Sequence, residues 1–236
     1  MRAITSFASR AAENALAPYL RYFARSDDED DFQKNVNDIF SLITGTASND
    51  GAIGSIVGTF VIDNLDFGAN NPGEDDCTDE GTLAYTLRDA NENEREKIHF
   101  CDPAWTRPSL ENVDCGSLDP FPSTKMDTFS RIALHEMMHY SSVGPPSSLG
   151  EQIKDGVNAD NERAYGPDRT HGLIAEEQDD DPFGAVQNAD SYAWMALDTY
   201  ASYKCAADQS DNNWATFFTQ NPPDYVPEDD SDSAKV

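Results

Sequence analysis

Three observations predict an α+β chain, with a small sheet and helices in its N-terminal part and a helical C-terminal part. Phe32, Val36, Ile39, Phe40 and Ile43 recur at helical spacing. Residues 55–62, rich in Val, Ile and Phe, and residues 97–101, which alternate, read as strands. Tyr192, Met195, Ala196, Thr199 and Tyr200 return to helical spacing late in the chain.

Taken in order, residues 1–25 carry Arg2, Arg10, Arg21 and Arg25 against one acid, Glu13, among Ala, Leu, Tyr and Phe. They predict an amphipathic helix. Without a continuous apolar run they do not form a secretory signal. Residues 1–31, ending in the acidic break Ser-Asp-Asp-Glu-Asp-Asp, are expected to be an N-terminal arm or propeptide remnant. The Phe32–Ile43 stripe is expected in the core. Residues 45–54 and 66–80 read as loops, the second with an Asn71-Pro72-Gly73 turn. Residues 82–87 fit helix and strand equally. His99, on the 97–101 strand, is expected to be structural rather than a ligand. Four prolines make residues 102–123 an ordered loop. Residues 124–141 predict a helix, stopped by the Gly- and Pro-rich run 143–150. Pro167 can open a helix running through Leu173 to Glu177. Asp179, Asp180 and Asp181 then read as a solvated loop, without calcium-loop spacing. The last helix covers residues 189–203, and residues 222–236 read as an acidic disordered tail. One domain over residues 32–221 is expected.

Sixteen Lys and Arg against 44 Asp and Glu give a formal charge of −28, with a pI near 4.1. Such a surface repels phosphate backbones and anionic membranes, so neither nucleic acid nor membrane is an expected partner. No apolar run reaches the length of about 18 residues needed to span a bilayer.

The most informative stretch is Phe129-Ser-Arg-Ile-Ala-Leu-His-Glu-Met-Met-His-Tyr140. It contains His135-Glu136-Met137-Met138-His139, an H-E-x-x-H pattern. On a helix, residues four apart lie one turn apart on one face. Both imidazoles can therefore meet one Zn²⁺, with Glu136 placed to reach a water beside it. Of the four histidines (His99, His135, His139, His171), half lie in this motif. A third ligand is needed. Pro145 stands where an extended H-E-x-x-H-x-x-G-x-x-H motif would have its third His. That leaves Glu151, Asp155, Asp160 and Glu162, with His171 more distant. Carboxylate chemistry does not choose among them.

Downstream lie Tyr165-Gly166-Pro167 and Asn188-Ala189-Asp190-Ser191-Tyr192. H-E-x-x-H, an acid, Tyr-Gly and Asn-Ala-Asp-Ser-Tyr together resemble the deuterolysin-like zinc endopeptidases, or aspzincins, in particular their secreted fungal branch. The resemblance covers roughly residues 97–205. It implies a zincin-like fold and a resident Zn²⁺. Two histidines and an acid three residues before Tyr-Gly would be the ligands. Counted without a gap, that slot is Glu162, giving His135, His139 and Glu162. The family's Gly-Thr before this acid is missing here; if residues 158–163 are an inserted loop, Asp155 takes the slot instead. The resemblance makes Glu136 the general base and Tyr165 the oxyanion donor. It implies peptide or protein substrates, an extracellular setting and a monomer. Asp190 would hold a ligand histidine by its other nitrogen or serve as a helix-start acid. Two alternatives are a secreted zinc-binding protein on the same fold that lacks activity, and a metal-free interaction protein. Glu136 weighs against the former, because metal capture does not require that acid.

Cys77, Cys101, Cys115 and Cys205 form no C-x-x-C pair. An even count in a secreted chain implies two disulfides, and four cysteines allow three pairings. Cys101–Cys115 with Cys77–Cys205 is the expected one.

Overall fold

Helices α1 (Arg2–Glu13), α2 (Ala17–Tyr22) and α3 (Asp30–Thr44) open the chain in the computed structural model. The structure describes residues 2–23, 30–45, 61–63, 77–78, 81–87, 96–157, 162–176, 184–206 and 217–223. The first two helices are not an appended arm. Ile4, Ala8, Ala11, Ala12, Tyr19, Tyr22 and Phe23 are all buried. They belong to the same core cluster as Val36, Ile39, Phe40 and Ile43 of α3. The amphipathic pattern was legible in the sequence; the partner for its apolar face was not.

Three short strands follow: β1 (Val61–Asp63), β2 (Ala84–Leu87) and β3 (Lys97–Phe100). They form one sheet in the order β1-β3-β2. β1 runs parallel to β3, with Ile62 beside Ile98. β2 is antiparallel to β3, with Thr86 opposite Ile98 and Tyr85 opposite His99. The ambiguous 82–87 segment thus contains a strand, which lies at one end of the sheet among the described residues. β1 begins at Val61; residues 55–60 of the predicted strand lie outside the described residues. The 45–54 and 66–80 loops and the acidic tail fall largely outside them as well.

Short 3₁₀ turns at Asp102–Thr106, Leu110–Asn112 and Thr124–Met126 fill the proline-rich stretch. The motif helix α4 is Phe129–Met138. It begins where the Thr128 side chain accepts from the backbone N–H of Arg131, closing one of the orphan donors of a first turn. It lies against β2 and the sheet, with Phe129 and Phe100 ring centroids 4.8 Å apart. Beyond its end, Tyr140 Oη donates to Glu96 O and Ser141 N to Glu96 Oε1. Gly144 then lets the chain turn back. A Cβ there would stand 2.2 Å from the Glu151 carbonyl, so only glycine fits.

Helices α5 (Pro167–Glu176), α6 (Gly184–Gln187) and α7 (Ala189–Cys205) complete the fold. α7 is buried almost from end to end. Its Ala189, Ala193, Ala196, Ala201 and Ser202 are small enough to let α1, α2 and α4 approach closely. A buried ion pair from Arg21 of α2 to Asp198 fastens the N-terminal layer to this helix. The result is an α+β arrangement in which α4 is held between a three-stranded sheet and α7.

The disulfide pairing differs from the expected one. Cys77 joins Cys101, and Cys115 joins Cys205. Cys115 faces the end of α7 because the 110–115 segment packs there: Lys204 Nζ donates to the carbonyls of Glu111 and Val113. Cys101 is thereby left to Cys77. Two disulfides fit an oxidising compartment. Among the described residues no helix is long and apolar enough to cross a membrane.

Candidate metal centre

α4 places His135 and His139 one turn apart, both buried. Their Nε2 atoms stand 3.3 Å from each other. Asp155 Oδ1 lies 3.0 Å from His135 Nε2 and 3.2 Å from His139 Nε2. Three donor atoms therefore form a nearly equilateral triangle. Ligands about 2.0–2.1 Å from a tetrahedral ion stand about 3.3 Å apart, which is close to these separations. Asp155 Oδ1 is also buried without a well-formed hydrogen bond. A buried acceptor left in that condition calls for an explanation, and an ion at the centre of the triangle supplies one. His135, His139 and Asp155 form a group that could hold a metal ion.

Both imidazoles are set with Nε2 facing inward. His135 Nδ1 is 2.9 Å from Asp190 Oδ1, and His139 Nδ1 is 3.3 Å from the Ile153 carbonyl. Acceptors at both Nδ1 atoms favour the tautomer whose Nε2 lone pair is free for a metal. Asp190 is the hub of this support. Its Oδ1 also accepts from Arg131 Nη1 at 3.1 Å, and its Oδ2 from Gly166 N and Trp194 Nε1, each at 2.8 Å. Arg131 is itself clamped by Asp127, which takes Nε at 2.8 Å and Nη2 at 3.0 Å. Gly166, at φ +94°, adopts the left-handed turn that a side chain resists, and its N–H reaches Asp190 from there.

Asp155 comes from a different construction. Lys154 N donates to Gln187 O, and Ala189 N to Lys154 O, both at 2.8 Å. Gly156 N donates to Asn188 Oδ1 at 2.9 Å. The Asn-Ala-Asp stretch thus does two jobs, with Asn188 steadying the Asp155 segment and Asp190 steadying His135.

Glu162, favoured by ungapped counting, is not in the cluster. It lies beside Arg169, with Oε2 3.7 Å from Nη2. Val157 pairs antiparallel with Arg163, and Ala164 N donates to Gly156 O. The acid that this pairing leaves beside the two histidines is Asp155, not Glu162. Asp160 lies outside the described residues. Glu151 accepts from Gln187, His171 Nδ1 lies 2.6 Å from Arg21 O, and His99 Nδ1 lies 3.0 Å from Asp63 O. Each of these has a structural role away from the cluster.

Glu136 is buried beside the triangle but is not one of its corners. Its Oε2 is 2.8 Å from Thr86 Oγ1 on β2. Tyr165 is 44% exposed, with its ring centroid 5.8 Å from that of His135. Nothing in the local sequence around Thr86 or Arg131 marks either as part of this assembly; both are identified only by tertiary contact.

The charges are strongly coupled. Burial alone would lower His135, but the Asp155 and Asp190 carboxylates beside it outweigh that and push its pKa up to about 10. Burial would raise Asp190, yet Arg131 and His135 hold it down to about 2. Asp155 is likewise held well below the usual carboxylate range, because the two imidazoles beside it outweigh burial. Burial raises Glu136, and the neighbouring histidines and Thr86 offset part of that rise. Tyr165 is raised by burial and by the Asp155 anion. No family model, curated protein or solved structure matches the chain.

Proposed function

We propose that the protein is a secreted, zinc-dependent endopeptidase of the deuterolysin-like kind, with a zincin-like fold. The observation that carries this reading is the position of Glu136. A metal-capturing site needs the three donors of the triangle, whereas Glu136 adds a buried carboxylate beside them that a metal does not require. Two imidazoles with one carboxylate suit zinc better than calcium or magnesium, and three protein ligands leave room for a water or substrate. Both disulfides are compatible with secretion.

Zinc held by His135, His139 and Asp155 would supply Lewis acidity, making a nearby water more acidic and a peptide carbonyl more electrophilic. Glu136 accepts the proton of the attacking water and returns it to the leaving amine. Its raised pKa suits a group that must both take and give a proton. Tyr165, protonated at any physiological pH, donates its hydroxyl to the developing oxyanion. Asp190 and Asn188 keep the ligands aimed. An extended peptide would lie along the edge of the sheet.

The test pairs metal analysis with cleavage of an unstructured protein, for wild type and Glu136→Ala. We expect stoichiometric zinc in both and cleavage by wild type alone. Zinc in both with cleavage by neither would replace the enzyme with a non-catalytic zinc-binding protein. Absence of zinc would end both readings.

A further inference from the structure

The geometry points to Thr86 as a positioning residue for the general base, fastening Glu136 to the same strand edge that would receive the substrate. This rests on the peptidase reading above and adds to it a residue outside the H-E-x-x-H helix.

The Thr86 hydroxyl has two contacts on one residue. Oγ1 lies 2.8 Å from the Glu136 carboxylate Oε2 and 2.9 Å from the Glu136 backbone carbonyl. The hydroxyl thus stands within hydrogen-bond reach of both the tip and the base of a carboxylate on a flexible two-carbon stem, and its one proton can serve either. Thr86 is β-branched, so its own χ1 is stiff. It sits in a strand whose register against β3 is set by four consecutive pairs. The aim of Glu136 therefore derives from the sheet as well as from α4. A hydroxyl has one proton and also accepts. When Glu136 is ionised, Thr86 can donate to it. When Glu136 carries a proton, Thr86 can accept a hydrogen bond from it and turn its own proton toward the carbonyl 2.9 Å away. The same residue thus suits the base before and after it has taken a proton.

β2 pairs with β3 on one side, and among the described residues no strand covers its other side. A peptide docking along that side would hydrogen-bond to the strand that carries Thr86. Substrate docking and base alignment then share one rigid element, as efficient placement of reacting groups requires.

The experiment uses the full zinc-loaded chain and an unstructured peptide, comparing wild type, Thr86→Val and Thr86→Ser. Val keeps the shape and the strand preference without the hydroxyl; Ser keeps the hydroxyl. We expect Thr86→Val to lower kcat roughly 10- to 100-fold with KM changed less than about threefold, at unchanged zinc stoichiometry. Ser should restore most of kcat. In a Glu136→Gln background, Thr86→Val should cost little more, because the two act as one unit. Wild-type kcat in Thr86→Val would overturn the assignment while leaving the peptidase intact. A loss that Ser does not rescue, or one that adds fully to Glu136→Gln, would also overturn it by marking Thr86 as merely structural. A wild type that binds zinc but cleaves nothing would sink both readings together. Thermal melts of each variant separate misfolding from misalignment, and the Ser arm keeps the test decisive if Val does not fold.

Discussion

His135 and His139 offer the same atom from the same helix, yet they are held by opposite means. His135 is backed by a buried ionic network of Asp190, Arg131 and Asp127, with Trp194 under the Arg131 guanidinium at 5.0 Å. His139 is backed by one neutral carbonyl, that of Ile153, at 3.3 Å. Gln152 Nε2 supports this side lightly, donating to His139 O at 2.6 Å. A charged partner fixes orientation and raises ligand basicity; a carbonyl fixes orientation alone. The contrast implies that one histidine is a rigid reference while the other can adjust as the Asp155 segment settles.

The most severe break is at the hub. Asp190→Ala strands Arg131, His135, Gly166 N and Trp194 Nε1 without their acceptor, in a buried setting. Removing one partner of a buried pair typically costs about 3–5 kcal/mol. Chemical denaturation of the metal-free protein should show a loss of that order, or outright failure to fold.

Next comes the identity of the third donor. Asp155→Ala should abolish stoichiometric metal binding with the fold retained, while Glu162→Ala should leave the metal content unchanged. Metal analysis after dialysis decides it; the reverse pattern would restore the ungapped count.

Subtler variants sharpen the two-histidine comparison. Asp190→Asn, which keeps an acceptor but removes charge, should weaken zinc about 10- to 100-fold. Gln152→Ala should change it less than about threefold. Competition titration with a chromophoric chelator measures both, and equal losses would erase the distinction.

Acidity has its smallest effect on the stability of the metal-free protein and a larger one on zinc affinity. In the metal-free protein the His135 pKa is raised to about 10, against about 6.5 unfolded. Its stabilisation is therefore complete below about pH 6.5 and is lost as the pH rises through about 10. Asp190, lowered to about 2, stabilises above about pH 4 and loses that contribution as the pH falls through about 2. A metal must displace the His135 proton, so zinc affinity should weaken about tenfold per unit of acidification from pH 9 to 7. Bound zinc should flatten the alkaline limb of the melting profile.

What could be read directly from the chain was what is local. His135, Glu136 and His139 follow from helical spacing alone, and Asp190 from a compact motif. Asp155 was obscured because its place depends on the pairing of Val157 with Arg163, which a linear count cannot see. Thr86 is hidden for the same reason on a larger scale, lying 50 residues from the group it touches. The stripes mark the helices, but residues 1–31 read as an arm or propeptide remnant because nothing local states that α7 packs against α1 and α2. The disulfides likewise depend on where the end of α7 arrives.

The Cys115–Cys205 bond closes a ring 90 residues around. Inside that ring lie His135, Glu136, His139, Asp155, Tyr165 and Asp190, so every proposed ligand and the acid and phenol beside them share one covalent circle. A single backbone cut anywhere within it opens the circle into a line without releasing either piece. For a chain proposed to be secreted and to cut other chains, a nick within the ring would leave the centre tethered. The severed halves would part only under reduction, visible as one band on a non-reducing gel and two on a reducing one.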